Sequence, residues 1–259
     1  LVGGTNDSLL GGAGDDLFII ENSATGFKVS DTDGSDTLSV GGSVDLTNAD
    51  LSGIEYLIVD GIVSLTGAQA NAFTSILGAS GSSDDLVKLT SSVNGAVGGN
   101  LSGVESLIGS GFGVETLISA NVNAMFIDVP PSQQSLVGGA SYADTLVGGV
   151  SQDTLVGGSN DSMLGAGGDD LYVISAGSTG FTITDDSGTD TLSVGGSLSL
   201  AGLSLSGLEV LVFDGSVSMT GDQAAAFSSV EGVNGASDIV YLTSSSTSVV
   251  GANFSEVES

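Results

Sequence analysis

The chain of 259 residues has no cysteine, histidine or tryptophan, and its only basic residues are Lys28 and Lys88. Without cysteine there are no disulfides, so stability has to come from packing, hydrogen bonds or bound metal. A site that stabilises an oxyanion or holds an anionic polysaccharide draws on cationic or imidazole groups, and this chain has almost none. No apolar run approaches the roughly 20 residues needed to span a bilayer. The opening "LVGG" has no Met and no charged segment leading into an apolar one, so we expect no secretory signal peptide there. Aromatics make up only 5% of the chain, and the only prolines are Pro130 and Pro131.

What is present is acid, glycine and aliphatic residues. Thirty-one Asp and Glu face the two lysines, for a net charge of −29. Such a chain repels nucleic acid and anionic membranes, so neither nucleic-acid binding nor membrane insertion is expected. It also repels itself unless cations from solution neutralise it. Hydrophobic residues make up 40% of the chain, mostly Val, Leu and Ile, which is enough for a core. The 42 glycines have no three-residue period, which excludes collagen.

The sequence repeats. "LSVGGS" occurs at 38–43 and 192–197, "LSGIEYLIVDG" at 51–61 matches "LSGLEVLVFDG" at 205–215, and "LTGAQANAF" at 65–73 matches "MTGDQAAAF" at 219–227, all at an offset of 154. Further on, "NLSGVES" at 100–106 matches "NFSEVES" at 253–259, with the offset reduced by one. The repeat defines a first unit, 1–154, and a second, incomplete unit, 155–259. Within the first, the glycine–aspartate stretches are 1–20 and 135–154, with strand-like rungs over 21–131. We expect the chain to be a window on a longer repeat protein.

A shorter period runs through residues 138–173, which divide into "GGASYADTLV", "GGVSQDTLV", "GGSNDSML" and "GAGGDDLYV". Asp144, Asp153, Asp161 and Asp170 recur at spacings of 9, 8 and 9, and Asp7 and Asp16 form the matching pair in the first unit. Elsewhere, short runs rich in Val, Ile and Leu ("DTLSV", "EYLIVDG", "DLVKLT", "AMFIDV") are separated by Gly, Ser, Asn and Asp, with a helical turn expected at "GAQANAF". Many short strands with glycine turns and no sustained helical period predict an all-β fold, a parallel β-roll or β-helix solenoid. The "VPP" at 129–131 is expected to mark a kink or loop.

These turns resemble the RTX calcium-binding repeats, whose nonapeptide is G-G-x-G-x-D-x-U-x. "GGAGDDLFI" at 11–19 fits throughout, "GGVSQDTLV" and "GAGGDDLYV" each fit with one substitution, and the remaining turns are one residue short or long. The physics agrees with the resemblance. Calcium takes six to eight oxygen ligands, glycines let turn carbonyls face inward, and the Asp supplies a charged oxygen. If each nonapeptide makes half a coil, alternate turns fall on one side, so Asp144 stacks over Asp161 and Asp153 over Asp170. Like charges one strand spacing apart repel unless a cation sits between them. The candidate ligands are therefore Asp7, Asp16, Asp144, Asp153, Asp161 and Asp170, with the adjacent Asp15 and Asp169 and the turn glycines Gly11 and Gly165.

"DTDGSDTL" at 31–38 resembles a fragment of a second kind of calcium loop, with Asp31 and Asp36 as candidates; the repeat keeps Asp185 and Asp190 but has no counterpart of Asp33. The competing reading is a solvated turn. "SSDDLVKL" at 82–89 carries a weaker signal of the same kind. Glu55, Glu105, Glu115 and Glu209 read as solvated turn residues capping each rung, and Tyr56, Tyr142, Tyr172 and Tyr241 as packing residues.

β-Solenoids do host polysaccharide lyases and epimerases, and acidic pairs do acid–base work. Lys28 and Lys88, however, are replaced in the other unit by Thr182 and Tyr241, so an enzyme is not expected. Ice binding calls for a threonine ladder and carbohydrate adhesion for exposed aromatics; the sequence offers an isolated "FTIT" and few aromatics. The RTX resemblance implies a bacterial protein exported to the cell surface or medium and folding there on calcium. The expectation is a calcium-stabilised structural repeat segment that associates with itself into an extracellular filament or surface layer. The alternative is the extender stalk of a calcium-dependent adhesin.

Overall fold

Val, Leu and Ile alternate with Ser, Thr and Gly along short runs, and glycine or aspartate ends each run. Such runs bury one side and turn tightly at both ends. In a computed structural model they form a parallel β-solenoid. The structure describes residues 1–79, 85–91, 96–98, 100–104, 106–109, 115–118, 125–127, 133–138, 143–233, 237–245 and 254–257. The expected kink at 129–131, Tyr142, Asp84, Glu105 and the side chain of Glu115 lie outside them. The chain divides into two compact units, Leu1–Val129 and Pro130–Ser259.

In the first unit, Val2–Gly3, Leu17–Ile20, Thr37–Asp45 and Tyr56–Leu65 pair in parallel in that order. The last strand then supports two successors, Ser75–Gly78 on its first half and Leu86–Leu89 on its second. A second short sheet stacks Ser8–Leu10, Lys28–Ser30 and Asp50–Ser52. Phe18, Leu38, Leu57 and Ile76 stand opposite one another and are all buried. Leu9 and Val29 face inward from the second sheet.

The second unit repeats the plan. Gln134–Val137, Thr154–Gly157, Leu171–Ser175, Thr191–Gly195, Val210–Asp214 and Ser229–Gly232 form one parallel sheet. Thr145–Val147, Ser162–Leu164, Thr182–Thr184 and Ser204–Ser206 are the strands facing it, paired in that order. The inner column reads Leu136, Leu155, Tyr172, Leu192, Leu211, Val230, so a tyrosine stands where the neighbouring rungs have leucine. The sequence repeat restarts at Leu155, but residues 134–137 stack directly on 154–157, so the packing unit runs through the point where the sequence restarts.

The half-coil expectation holds in the glycine–aspartate block, where Leu155 lies opposite Tyr172 and Leu146 opposite Met163, two turns along the chain in each case. Beyond it the coil lengthens, as the pairing of Leu171 with Thr191 and of Thr191 with Val210 shows. The expected helical turn is present in both units, at Gly67–Ala72 and Gly221–Ala226. Each opens on a capping box, Thr66 with Gln69 and Thr220 with Gln223, which satisfies two backbone donors reciprocally.

One outward row of the main sheet in each unit is mostly aliphatic and carries little charge. In the first unit Val2, Ile19, Ser39, Ile58 and Leu77 form one such row, with Val2 62% and Ile19 40% exposed. The equivalent row of the second is Val156, Val173, Ser193, Val212 and Glu231.

Candidate metal centre

The turn "GGAGDD" ends one rung of the first unit and "DTDGSD" ends the next. A parallel bridge between Ala13 and Asp33 sets the two turns in register. Asp16 is therefore stacked on Asp36, with Asp31 beside them, and ligand oxygens of the three carboxylates lie within 4.8 Å of one another. Asp31 and Asp36 are buried. The second unit brings Asp170, Asp185 and Asp190 together in the same way, all three buried, with Gly167 bridged to Ser187. Adding the repeat offset of 154 to 16, 31 and 36 gives 170, 185 and 190, so one arrangement has been built twice. The loop at 31–38 thus contributes Asp31 and Asp36 to the cluster that Asp16 joins.

Two glycines make the close approach possible, each for its own reason. Gly34 adopts φ +143° while its Cα side faces Gly14 O, so a side chain there meets backbone. Gly11 is not in the left-handed region; a Cβ on it would fall among the Oδ2 atoms of Asp16 and Asp31. A Cβ on Gly165 would meet Asp170 Oδ2, Asp185 Oδ2 and the Tyr172 hydroxyl. The first glycine of the turn thus keeps open a small space lined by carboxylate oxygens.

Backbone donors tie each rung to the next. Asp16 N–H donates to Asp36 Oδ1 at 2.8 Å, and Asp36 N–H to Glu55 Oε2 at 2.9 Å. In the second unit the column is longer: Asp153 N–H to Asp170 Oδ1 at 2.6 Å, Asp170 N–H to Asp190 Oδ1 at 2.8 Å, and Asp190 N–H to Glu209 Oε2 at 2.9 Å. At the other turn, Asp144 N–H donates to Asp161 Oδ1 at 2.9 Å. The expected stacking of Asp144 with Asp161 and Asp153 with Asp170 is present. Glu55 and Glu209 do cap rungs, but half-buried and hydrogen-bonded instead of fully solvated.

The other candidates stand outside the two clusters. Asp7 is exposed and accepts the Gly4 N–H in its own turn. Asp15 and Asp169 are exposed and accept the Ser35 and Thr189 N–H groups of the next rung. Asp161 is buried, and its Oδ2 accepts the Gly158 N–H. Asp153 is buried, and its Oδ2 accepts the Gly149 N–H. Two further buried carboxylates carry little sequence signal. Asp85 accepts the Gly61 N–H at 2.8 Å, and Asp238 the Gly215 N–H at 2.6 Å and the Val233 N–H at 2.7 Å. They cap turns of equivalent rungs.

The electrostatics of the two clusters differ. Three backbone N–H groups, from Asp33 foremost and then Thr32 and Gly12, hold the Asp31 carboxyl below its ordinary value against the opposing effect of burial. In the second cluster burial dominates. It pushes Asp170 up to about 7, with the Asp185, Asp153 and Asp190 carboxylates adding to it and the Asp153 N–H opposing. Burial likewise pushes Asp190 up to about 6, with Asp185 and Glu209 adding to it. Asp170 Oδ2 is buried and has no hydrogen-bond partner. Native interiors rarely leave a charged oxygen in that state without water or an ion to meet it.

The donor set fits a hard divalent cation. It is all oxygen, it is anionic, it has an orphaned buried oxygen aimed inward, and no basic side chain competes for it. Asp16, Asp31 and Asp36 would hold one ion, and Asp170, Asp185 and Asp190 a second. Compared with protein-family models, with curated proteins and with solved structures, the chain gives no match.

Proposed function

We propose that this chain is a calcium-stabilised structural repeat segment of a large secreted bacterial protein, working by self-association into an extracellular filament or surface layer. The observation that carries the reading is the pair of equivalent carboxylate clusters, one largely and one fully buried, the second with the unpartnered Asp170 Oδ2. Removing bulk water from three carboxylates is unfavourable unless a cation offsets their repulsion. A chain of −29 with two lysines has to take that cation from solution. Calcium suits the donors, and the RTX resemblance of the turns points to the same ion. Millimolar calcium outside the cell makes binding energy available as folding energy.

Export and a bacterial source rest on the resemblance alone. A structural role, not a catalytic one, is supported by the residue inventory, which lacks imidazole, guanidinium and thiol groups. Self-association is supported by the aliphatic outward row, since another equally acidic copy meets least repulsion there.

The test is to chelate the protein, record far-UV circular dichroism, add millimolar calcium and view the same sample by negative-stain electron microscopy. A gain of β signal over that of the metal-free fold, with ordered fibres or sheets, is the expected result. Gain of β signal with separate rods would favour an adhesin stalk, and no response to calcium would overturn the metal reading.

A further inference from the structure

The two clusters occupy equivalent places in the repeat but differ in what touches the third carboxylate. In the first, Asp31 Oδ2 accepts the Gly12 N–H at 3.0 Å, and Oδ1 accepts the Thr32 and Asp33 N–H groups. In the second, Asp185 Oδ1 accepts the Ser187 N–H at 3.1 Å, while Oδ2 accepts the Tyr172 hydroxyl at 2.5 Å. That hydroxyl also accepts the Gly165 N–H at 2.7 Å. Tyr172 is fully buried in the aliphatic column, and its counterpart in the first unit is Phe18, equally buried and without a hydroxyl. Nearest the space that Gly165 leaves open, the phenol oxygen stands with Asp170 Oδ2 and Asp185 Oδ2; nearest that of Gly11 stand the carboxylates of Asp16 and Asp31.

We propose that Tyr172 is a positioning residue that makes the second site the weaker of the two, so that the sites fill in sequence as calcium rises. This rests on the calcium reading above. The phenolic proton is held on the Asp185 oxygen that an entering cation requires. A charge-assisted O–H···O⁻ bond of this length is among the stronger hydrogen bonds of a protein, and the cation has to displace it. The hydroxyl then turns about its C–O bond toward Thr184 O, which already lies 3.4 Å away. The phenol remains neutral and no covalent bond changes. In the first site the equivalent oxygen, Asp31 Oδ2, meets only the longer 3.0 Å bond from the Gly12 N–H and no hydroxyl, so that site loads at lower calcium.

The test is calorimetric titration of the chelated chain with calcium chloride. Wild type is expected to show two affinity classes, the tighter lost in Asp36→Asn and the weaker in Asp190→Asn. Tyr172→Phe, which copies the first unit's own residue and so keeps the packing, is expected to tighten the weaker class about tenfold, because in wild type the strong bond to Asp185 is exchanged for a weaker one to Thr184 O and not lost outright. Phe18→Tyr is expected to weaken the tighter class. Tyrosine ultraviolet absorbance in wild type is expected to change only across the weaker class, and not at all in Tyr172→Phe. A weaker class that is unmoved or further weakened by Tyr172→Phe overturns the inference and leaves calcium binding standing. Absence of any calcium heat removes both.

Discussion

Asp170→Asn separates the cost of a buried charge from the cost of a lost contact. Asparagine keeps an oxygen to accept the Asp153 N–H and turns its amide toward Asp185, so the shape and one hydrogen bond survive. In the metal-free protein Asp170 is displaced from an ordinary 3.8 to about 7. Below pH 4 the carboxyl is protonated in both folded and unfolded chains, and it has no influence on stability. Between pH 4 and 7 the unfolded chain gives up the proton and the folded chain keeps it, so stability falls as pH rises. Above pH 7 the penalty is constant. At about 1.4 kcal/mol per pH unit the whole displacement is worth about 4 kcal/mol, and because Asp190 titrates against the same neighbours about 2–3 kcal/mol is the expected share recovered by one substitution. The assay is urea unfolding in EGTA, followed by circular dichroism, at pH 4.5 and pH 8. Asp170→Asn is expected to exceed wild type only slightly at pH 4.5 and clearly at pH 8, and to gain less than wild type when calcium replaces EGTA. An advantage equal at both pH values, or a loss at pH 8 without calcium, would refute the reasoning.

Two glycines in one turn are expected to behave oppositely. Gly11→Ala places its methyl in the carboxylate-lined space and should reduce calcium stoichiometry by one in calorimetry while the metal-free fold persists. Gly12→Ala has open space but φ +117°, so it should lower metal-free stability by about 1–2 kcal/mol in urea and leave the stoichiometry intact. Thr220→Ala removes the cap that accepts the Gln223 N–H and should lower stability by about 1 kcal/mol in the same assay, independently of calcium.

The glycine–aspartate block was legible because its residues answer to backbone geometry. A turn that packs carboxylates against a glycine restricts composition strongly, and a coil of constant length puts Asp153 under Asp170 by arithmetic. The joining of Asp16 with Asp31 and Asp36 was not legible, because the coil lengthens at that rung and Asp31 stands where the nonapeptide has its first glycine. The strand pairings on either side and the bridge from Ala13 to Asp33 show that the two turns are consecutive. Tyr172 read as packing, and its ring is in the column, but its hydroxyl also reaches the Asp185 carboxylate. Asp85 lay within the weak "SSDDLVKL" signal and Asp238 in none, because a carboxylate that caps a turn from the next rung leaves little local pattern.

The columns that run from Asp153 through Asp170 and Asp190 to Glu209 have a polarity. At every step the N–H belongs to the earlier rung and the carboxylate to the later one. The column thus has a direction as well as a register, with its N–H groups turned toward later rungs and its carboxylates toward earlier ones.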